Sequence, residues 1–117
     1  MAGRFAPSPT HDLHLGNLRT GLLSWLFARR AGLEHLVRIE DLDQQRSKDA
    51  PEVSRRQLED LSAMGIDWDG KVVRQSERLE LYAEAMTSLD TYECYCTRRE
   101  IAAVSYTHLT LPTTPYV

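Results

Sequence analysis

Residues 3–39 constrain the fold of this chain most, because strand, helix and strand patterns follow one another with short connections. Gly3–Ala6 predicts a short strand that ends at two prolines. Leu15–Ala31 has Leu18, Leu22, Trp25, Leu26 and Arg29 at helical spacings and stops at Gly32, which predicts an amphipathic helix. Leu36–Ile39 predicts the second strand. Such a βαβ unit requires a crossover and therefore a parallel sheet, which places the chain in the α/β class.

The loop between the first strand and the helix carries the pattern His-Leu-Gly-Asn at residues 14–17. A helix N-terminus offers unpaired N–H groups and a partial positive charge, which suit a phosphate. Gly16 allows a close approach to the backbone, and His14 adds a hydrogen-bond donor. A four-residue pattern is weak by itself, and a lone histidine at a turn is commonly a surface residue or a helix cap. The loop follows a parallel strand, however, and this position predicts a ligand site.

An acidic run, residues 40–43, follows the second strand. Glu40 leaves that strand at the same sheet edge as the His14 loop, so we expect both features to face one crevice. Asp41 and Asp43 would suit a metal, but acidic residues at strand-to-loop junctions are usually solvated or capping. We therefore do not assign them as metal ligands.

The next segment continues the alternation of helices and strands. Residues 49–52, Asp-Ala-Pro-Glu, predict a helix start with an N-cap and a proline in the first turn, and Gly65 ends this helix. Its inner face is predicted from three apolar residues at helical spacing, Leu58, Leu61 and Met64. Val72–Arg74 predicts a further strand.

The C-terminal third has weaker patterns. Ser76 is predicted to cap a helix with apolar residues at positions 79, 82, 83, 86 and 89. Tyr92–Cys96 is predicted to be extended, and Thr97–Glu100 forms a capping box that opens another helix. Of the large apolar residues, we interpret Trp25, Tyr82 and Met86 as core.

The composition excludes several classes of protein. The chain has 117 residues, of which 42% are hydrophobic and 26% charged, and this allows one ordinary globular domain at most. No apolar run approaches the roughly 18 residues of a membrane span, so we expect a cytoplasmic protein with no membrane partner. The net charge of −3 gives no overall signature of nucleic-acid binding. Arginine outnumbers lysine, which suits phosphate and carboxylate binding or only reflects codon composition.

Residues 105–117 differ from the rest because they contain no Asp, Glu, Lys or Arg. The charge disappears within a helix that Thr97 has just opened. An ordinary polar loop or edge strand is the simpler interpretation. We predict instead a non-native tail, similar to translated adaptor sequence, which follows a domain of residues 1–104.

A series of motifs resembles class I glutamyl-tRNA synthetases in order and spacing. The motifs are residues 4–10 (RFAPSPT), 14–20 (HLGNLRT), 25–29 (WLFAR), 38–43 (RIEDLD), 65–70 (GIDWDG), 74–78 (RQSER) and 92–100 (YECYCTRRE). The resemblance covers residues 3–103. It implies the Rossmann-like parallel sheet of a class I aminoacyl-tRNA synthetase catalytic domain, of which this chain is a truncated N-terminal part.

Within that family, Asn17, Leu42 and the segment 94–100 are more similar to the glutamyl-queuosine tRNA(Asp) synthetase branch. This resemblance implies that the parent protein, a monomer, makes glutamyl-adenylate from ATP and glutamate. It then transfers glutamate to queuosine in the anticodon of tRNA(Asp). Two alternatives remain open: a fragment of a standard glutamyl-tRNA synthetase, and a nucleotide-binding module that catalyses nothing.

The resemblance also implies roles for individual residues. His14 is the catalytic residue, because it would hydrogen-bond the phosphates as their charge shifts. Contacts to ATP, which Mg²⁺ accompanies, are implied for Pro9, Thr10, His14, Gly16 and Asn17. Contacts to glutamate are implied for Arg4, Phe5, Ala6, Pro7, Ser8 and Glu40. The charges agree, since an arginine suits a carboxylate and Glu40 suits the α-ammonium group.

Cys94 and Cys96 are two residues apart, so on a strand both thiols would face one side and reach one metal. A disulfide between them would be strained. The resemblance implies zinc in the full-length parent, with a Tyr and a Cys further along as the remaining ligands. Here that region is the predicted tail, and we interpret His108 as coincidental. The zinc site is therefore predicted to be incomplete.

Two features depart from the family pattern. His11 stands where the family usually has a small residue, most often glycine. If that turn requires a positive φ or a close approach to ATP, the imidazole would lower stability or affinity. The lysine-bearing K-M-S-K-S-type loop that grips ATP does not occur in the 117 residues. We therefore expect this chain to be inactive by itself.

Overall fold

The structure is a computed structural model that describes residues 1–43 and 47–103. It divides into two compact units, Met1–Glu84 and Ala85–Val117, and the second is described as far as residue 103. Residues 105–117, which include His108, lie outside the described residues, so the predicted tail stays a prediction. Within the described residues, no helix is both long enough and apolar enough to cross a membrane.

A parallel sheet organises the first unit. Its strands are β1 (Gly3–Phe5), β2 (His35–Ile39) and β3 (Val73–Arg74), in the spatial order β1-β2-β3. Helix α1 (Leu15–Arg30) connects β1 to β2, and helix α2 (Ala50–Ala63) lies between β2 and β3 in the sequence. This arrangement confirms the predicted α/β class and the βαβ unit.

Strand β2 pairs with both neighbouring strands, and the burial of its residues alternates with a period of two. Gly3, Arg4 and Phe5 lie opposite His35, Leu36 and Val37, and Arg38 and Ile39 lie opposite Val73 and Arg74. Alternate residues His35, Val37 and Ile39 are buried, whereas Leu36 and Arg38 are more exposed. One face of the sheet therefore belongs to the core.

The core cluster is small and joins β1 to the end of α2. It consists of Phe5, Leu61 and Ile66, with partly buried apolar residues packed around it: Leu13, Leu18, Leu22, Trp25, Leu58 and Trp68. Gly21 lies where α1 approaches this cluster, because a Cβ there would be 3.3 Å from Cδ2 of Leu61. The predicted inner residues Leu18, Leu22, Leu58 and Leu61 and the core residue Trp25 are confirmed.

Three apolar residues that the patterns assigned to inner faces are exposed instead. Leu26 is 46% exposed, because the buried residues of α1 are the small Gly21 and Ala28. Met64 is 42% exposed since α2 has ended at Ala63, and the chain turns there towards Gly65 at a φ of 77°. Met86, predicted as core, is 55% exposed.

The helix starts in the second half differ in their capping. Ser76 does not cap a helix as predicted, because it lies inside a short 3₁₀ helix (Gln75–Arg78) that precedes α3 (Leu79–Met86). The Thr97 capping box is confirmed at α4 (Arg98–Ala103), where the Thr97 amide donates to Oε2 of Glu100 at 2.7 Å. At α2, Asp49 is the N-cap residue, but its side chain makes no capping hydrogen bond.

Candidate active site

A cavity of about 300 Å³ lies where the chain leaves the carboxyl end of β1. Its lining residues are Phe5, Ala6, Pro7, Ser8, Thr10, His11, Leu13, His14, Asn17 and Gln57. Most of the residues predicted to contact ATP or glutamate are therefore brought together around one space. This is the position at which open parallel sheets bind ligands.

His14 is the N-cap residue of α1, and its ring makes the cap. Nδ1 accepts hydrogen bonds from the amides of Gly16 at 3.0 Å and Asn17 at 3.4 Å. The side-chain oxygen of Asn17 accepts in return from the His14 amide at 3.2 Å, so the two residues form a reciprocal capping box. The first helical N–H groups, which the sequence suggested as phosphate ligands, are thus already engaged by His14.

This cap determines which ring nitrogen can act on a ligand. Because Nδ1 accepts two N–H groups, it carries no proton, and the neutral ring must carry its proton on Nε2. Nε2–H is a hydrogen-bond donor on a ring that lines the cavity. The arrangement therefore leaves Nε2–H as the ring group of His14 that is available to a ligand with acceptor oxygens.

The absence of a side chain at Gly16 leaves space for the His14 ring. A Cβ at Gly16 would lie 2.9 Å from Cε1 and 3.1 Å from Nδ1 of the His14 ring. The ring therefore folds against the backbone at Gly16, and only glycine leaves space for it. Pro9, also predicted to contact ATP, is almost fully buried and is not among the lining residues of the cavity.

The backbone at His11 does not meet the first condition for strain, a positive φ. Among the described residues a positive φ occurs only at Gly32, Gly65 and Gly70, so this turn needs no left-handed backbone. The His11 ring stacks on His14, with centroids 6.2 Å apart and planes inclined by 28°. Its Nδ1 lies 2.8 Å from the Asp12 carbonyl oxygen, to which it donates. His11 therefore adds a second imidazole to the cavity wall.

Arg4 and Glu40 lie near each other, but Arg4 lines a different cavity and Glu40 is not among the residues that line either one. Arg4 lines a space of about 180 Å³ with Arg38, Lys71 and Arg78. Oε1 of Glu40 is 2.6 Å from Arg38 and 4.0 Å from Arg4, so Arg38 is its nearer partner. The Glu40 amide donates to the Pro7 carbonyl at 3.0 Å, which joins the end of β2 to the site loop.

Asp41 is a buried cap rather than a metal ligand. Its two oxygens accept from the amide of Ser76 at 2.9 Å and from the Ser76 hydroxyl at 2.7 Å. Desolvation raises the pKa of Asp41, but the hydrogen bonds from Ser76 outweigh it, so the pKa lies below its ordinary value. Arg74, 3.9 Å away, acts in the same direction.

The GIDWDG motif forms a structural network in the loop after α2. Arg29 pairs with Asp67 at 2.7 Å and Asp69 at 2.6 Å, and Trp25 donates to Asp67 at 2.7 Å. The amide of the buried His35 donates to Asp69 at 2.8 Å. The network joins the loop to α1 and β2, so it supports the fold rather than the cavity.

Gln57 is a site residue that the sequence patterns did not identify. Its side chain is 1% exposed, lines the cavity and bonds the backbone of the His14 loop. A signal was present, since Gln57 lies one helical turn from both Val53 and Leu61, on the apolar face of α2. A polar residue within such a face indicates a specific partner.

The second unit contains the two cysteines. Both are exposed, and the segment 92–96 has no regular secondary structure, so the predicted strand is absent there. A hydrogen bond with the Cys94 thiol raises the pKa of Cys96, which favours the protonated form over the thiolate that zinc binds. In the described part of the chain, no group of three or more His, Cys, Asp or Glu residues could hold a metal. The described residues therefore do not complete a zinc site.

Comparison with known proteins identifies the family. The chain is 62% identical over 104 residues to the glutamyl-Q tRNA(Asp) synthetase of Cutibacterium acnes, covering 89% of this chain and 30% of that protein. It is 61% identical over 104 residues to the protein of the same name from Nocardia farcinica, covering 86% of this chain and 32% of that protein. The chain thus spans about a third of the length of these curated relatives.

A solved structure shows the same fold. The crystal structure of a glutamate tRNA ligase from Elizabethkingia meningosepticum, in complex with its amino acid, matches with a TM-score of 0.66 and 37% identity. The match covers 86% of this chain and 22% of that one, and it confirms the predicted Rossmann-like class. The family model described as tRNA synthetases class I (E and Q), catalytic domain, matches residues 1–113. The chain therefore belongs to the class I tRNA synthetases for glutamate and glutamine, of which it contains part of the catalytic domain.

Proposed function

We propose that the protein to which this chain belongs activates glutamate with ATP, and that the chain forms the corner of the site that holds the phosphates. The observation that carries the proposal is the position of Ser8, Thr10 and His14 around one cavity at the carboxyl end of β1. Membership of a ligase family with ATP and an amino acid as substrates supports it.

In the proposed reaction, a carboxylate oxygen of glutamate attacks the α-phosphorus of ATP. A bond to that oxygen forms, the bond to the bridging oxygen breaks, and pyrophosphate leaves with the electron pair. Such a transfer depends on positioning and charge stabilisation. Nε2–H of His14 is directed by its cap to donate to the phosphates, while Mg²⁺ accompanies ATP through phosphate oxygens and water.

We assign recognition of glutamate to Arg4, Ser8 and Glu40, with Phe5, Ala6 and Pro7 as the wall beside them. In the structure, Glu40 pairs with Arg38 at 2.6 Å, so an incoming α-ammonium group would share or replace that contact. Arg4 is 50% exposed and can turn its guanidinium group towards a carboxylate. A similar glutamate tRNA ligase has been solved in complex with its amino acid, which supports an amino acid as a ligand of this fold.

We propose queuosine in tRNA(Asp) as the acceptor, in a cytoplasmic and monomeric enzyme. Support comes from the identities of 62% and 61% to relatives named glutamyl-Q tRNA(Asp) synthetase, against 46% to a glutamate–tRNA ligase from Thermosynechococcus vestitus. The second candidate is transfer to tRNA(Glu). Radiolabelled glutamate offered with tRNA(Asp), with and without queuosine, and with tRNA(Glu) would distinguish the two acceptors.

Glutamate-dependent exchange of pyrophosphate into ATP by the full-length protein tests the proposed activation. We expect exchange that aspartate does not support and that His14→Ala abolishes. Exchange equal to background in the full-length protein would establish the alternative, a nucleotide-binding module without catalysis. We expect no exchange from the 117-residue chain by itself.

A further inference from the structure

Gln57 connects helix α2 to the loop that carries the site residues. Its Nε2 donates to the carbonyl oxygens of Ser8 at 3.0 Å and His11 at 2.7 Å. Because both partners are acceptors, the orientation of the amide is determined: the nitrogen faces the loop. A single side chain therefore holds two points of a loop that lie 49 and 46 residues away in the sequence.

Stability by itself does not account for a glutamine at this position. Its Oε1 is buried and has no hydrogen-bond partner among the residues that the structure describes. An unpaired buried acceptor is unfavourable, and an apolar side chain of equal length would avoid it. Val53 and Leu61, one turn to either side, show that apolar residues suit this face of α2. The contacts of Nε2 are therefore what distinguishes Gln57 from its neighbours.

The two hydrogen bonds of Gln57 hold the part of the loop that would face an anionic ligand. The carbonyl oxygens of Ser8 and His11 carry partial negative charge, which would repel a phosphate if they turned towards the cavity. The amide of Gln57 holds both oxygens on its own side, and the Thr10 amide also donates to the Ser8 oxygen at 2.9 Å. Ser8, Thr10 and His11 line the cavity in this arrangement.

We propose that Gln57 is a positioning residue of the site: its amide group holds the Ser8–His11 segment in order before an anionic ligand binds. The inference rests on the proposed function, in which that ligand is the triphosphate of ATP. If the loop is disordered before binding, only a fraction of the molecules can bind the ligand. The apparent affinity for the ligand is then reduced by that fraction.

The chain offers a matched control on the same helix. Arg56, the preceding residue, also contacts the loop, but through the exposed side chain of Asp12 at 2.7 Å. Exposed ion pairs have little effect on order. Arg56→Met therefore removes a loop contact of α2 without removing the buried amide, whereas Gln57→Met removes the amide and keeps the length of the side chain.

The experiment compares wild type, Gln57→Met and Arg56→Met in three measurements on the full-length protein: thermal melting, hydrogen exchange of the Thr10 amide, and calorimetric titration with ATP and Mg²⁺. For Gln57→Met we expect about tenfold faster exchange at Thr10 and about tenfold weaker ATP binding. The melting temperature should change by less than about 5 °C, because the unpaired oxygen is removed together with the donors. Arg56→Met should stay within about twofold of wild type in both loop measurements.

The outcomes separate the inference from the proposed function. Wild-type exchange at Thr10 in a folded Gln57→Met variant overturns the positioning role, whether or not ATP binds. If wild type itself does not bind ATP, the nucleotide site is wrong, and the hydrogen-exchange result alone then decides on Gln57. Should Gln57→Met fail to fold, Gln57→Asn, which keeps an amide but cannot span both carbonyl oxygens, is expected to show the same faster exchange. Unchanged exchange in that variant overturns the inference too.

Discussion

At the scale of the residue, the observed capping role of His14 and its proposed role at the phosphates use different ring nitrogens. Nδ1 caps α1 through the amides of Gly16 and Asn17, and this leaves the proton of the neutral ring on Nε2. The capping interpretation and the catalytic interpretation of this histidine are therefore compatible. The cap sets the tautomer that a phosphate would require.

The two roles of His14 can be separated by substitution. We expect His14→Ala to lower the free energy of unfolding by about 1 kcal/mol, because the cap is lost. His14→Asn should stay within about 0.5 kcal/mol of wild type, since asparagine caps well. Both variants should lose most ATP binding, measured by calorimetry beside urea unfolding. Wild-type affinity in His14→Asn would show that the ring does not contact the nucleotide.

Gly16→Ala tests the close contact between the ring and the backbone. The new Cβ would lie 2.9 Å from Cε1 of His14, so we expect the imidazole to move and the hydrogen bond from Gly16 to Nδ1 to be lost. Nitrogen NMR of the ring should then show a mixture of tautomers instead of a single Nε2–H form. Arg30→Ala, an exposed change at the far end of the same helix, should leave the ring spectrum unchanged. A single tautomer in Gly16→Ala would contradict the contact.

At the scale of the element, the structure joins segments through polar contacts that the patterns do not show. Asp41, directly after β2, binds both the amide and the hydroxyl of Ser76 in the 3₁₀ helix. Arg74 at the end of β3 approaches Asp41 at 3.9 Å and donates to Ser54 of α2 at 2.8 Å. Glu40 lies between the last residue of β2 and Asp41. Its backbone is therefore held by the sheet on one side and by the Asp41 contacts on the other.

The Asp41 contact predicts a dependence of stability on pH. The pKa of Asp41 is lower in the folded chain than in the unfolded chain, so its contribution is complete above the ordinary value near 4 and is lost as the pH falls through the lowered value. We expect Asp41→Asn to be about 1–3 kcal/mol less stable than wild type at pH 7. The difference should shrink below about pH 4, where wild type also loses the charge.

Urea unfolding followed by tryptophan fluorescence at several pH values checks this prediction, because both tryptophans, Trp25 and Trp68, lie in the first unit. Asp90→Asn, a change at an exposed carboxylate, is the control and should follow the wild-type curve. A stability difference between Asp41→Asn and wild type that does not change with pH would contradict a role for the carboxylate charge.

At the scale of the whole molecule, the chain divides into a first unit that contains the parallel sheet and a second unit that contains the exposed cysteines. The first unit holds the sheet, the core cluster and both cavities. In the second, Cys94 and Cys96 are exposed, and the described residues give them no third metal-binding partner. The tail from residue 105 onwards remains a prediction that the uninterrupted gene sequence would test.

We expect this chain to bind zinc weakly. Two thiols supply half of a tetrahedral site, and the raised pKa of Cys96 makes deprotonation harder at neutral pH. After purification with zinc and dialysis against a chelator, metal analysis should find far less than one zinc per chain. The double variant Cys94→Ser, Cys96→Ser is the control and should give the same content. Stoichiometric zinc that resists the chelator would contradict this expectation.

Features within one helix or strand could be predicted from the sequence, whereas contacts between elements could not. β1, α1 and β2 begin and end within one or two residues of their predicted bounds, and α4 begins where its capping box predicts, because period, glycine stops and capping boxes are local signals. Leu26 and Met86 were assigned wrongly, since burial depends on what packs against a face and not on its spacing alone. Ser76 was assigned wrongly for a similar reason: its partner, Asp41, lies 35 residues away.

The sequence by itself determined the α/β class, the position of the ligand loop at the carboxyl end of β1, and the resemblance to the glutamate-activating synthetases. These depend on short-range periodicity and on motif order. Only the tertiary structure decided that the His14 ring caps α1 over Gly16, that Asp41 binds Ser76, and that Gln57 holds the Ser8–His11 segment. The last two contacts join residues far apart in the chain, and the first depends on a side-chain rotamer. None of the three contacts leaves a periodic signal in the sequence, because directional hydrogen bonds depend on where the folded backbone places their donors and acceptors.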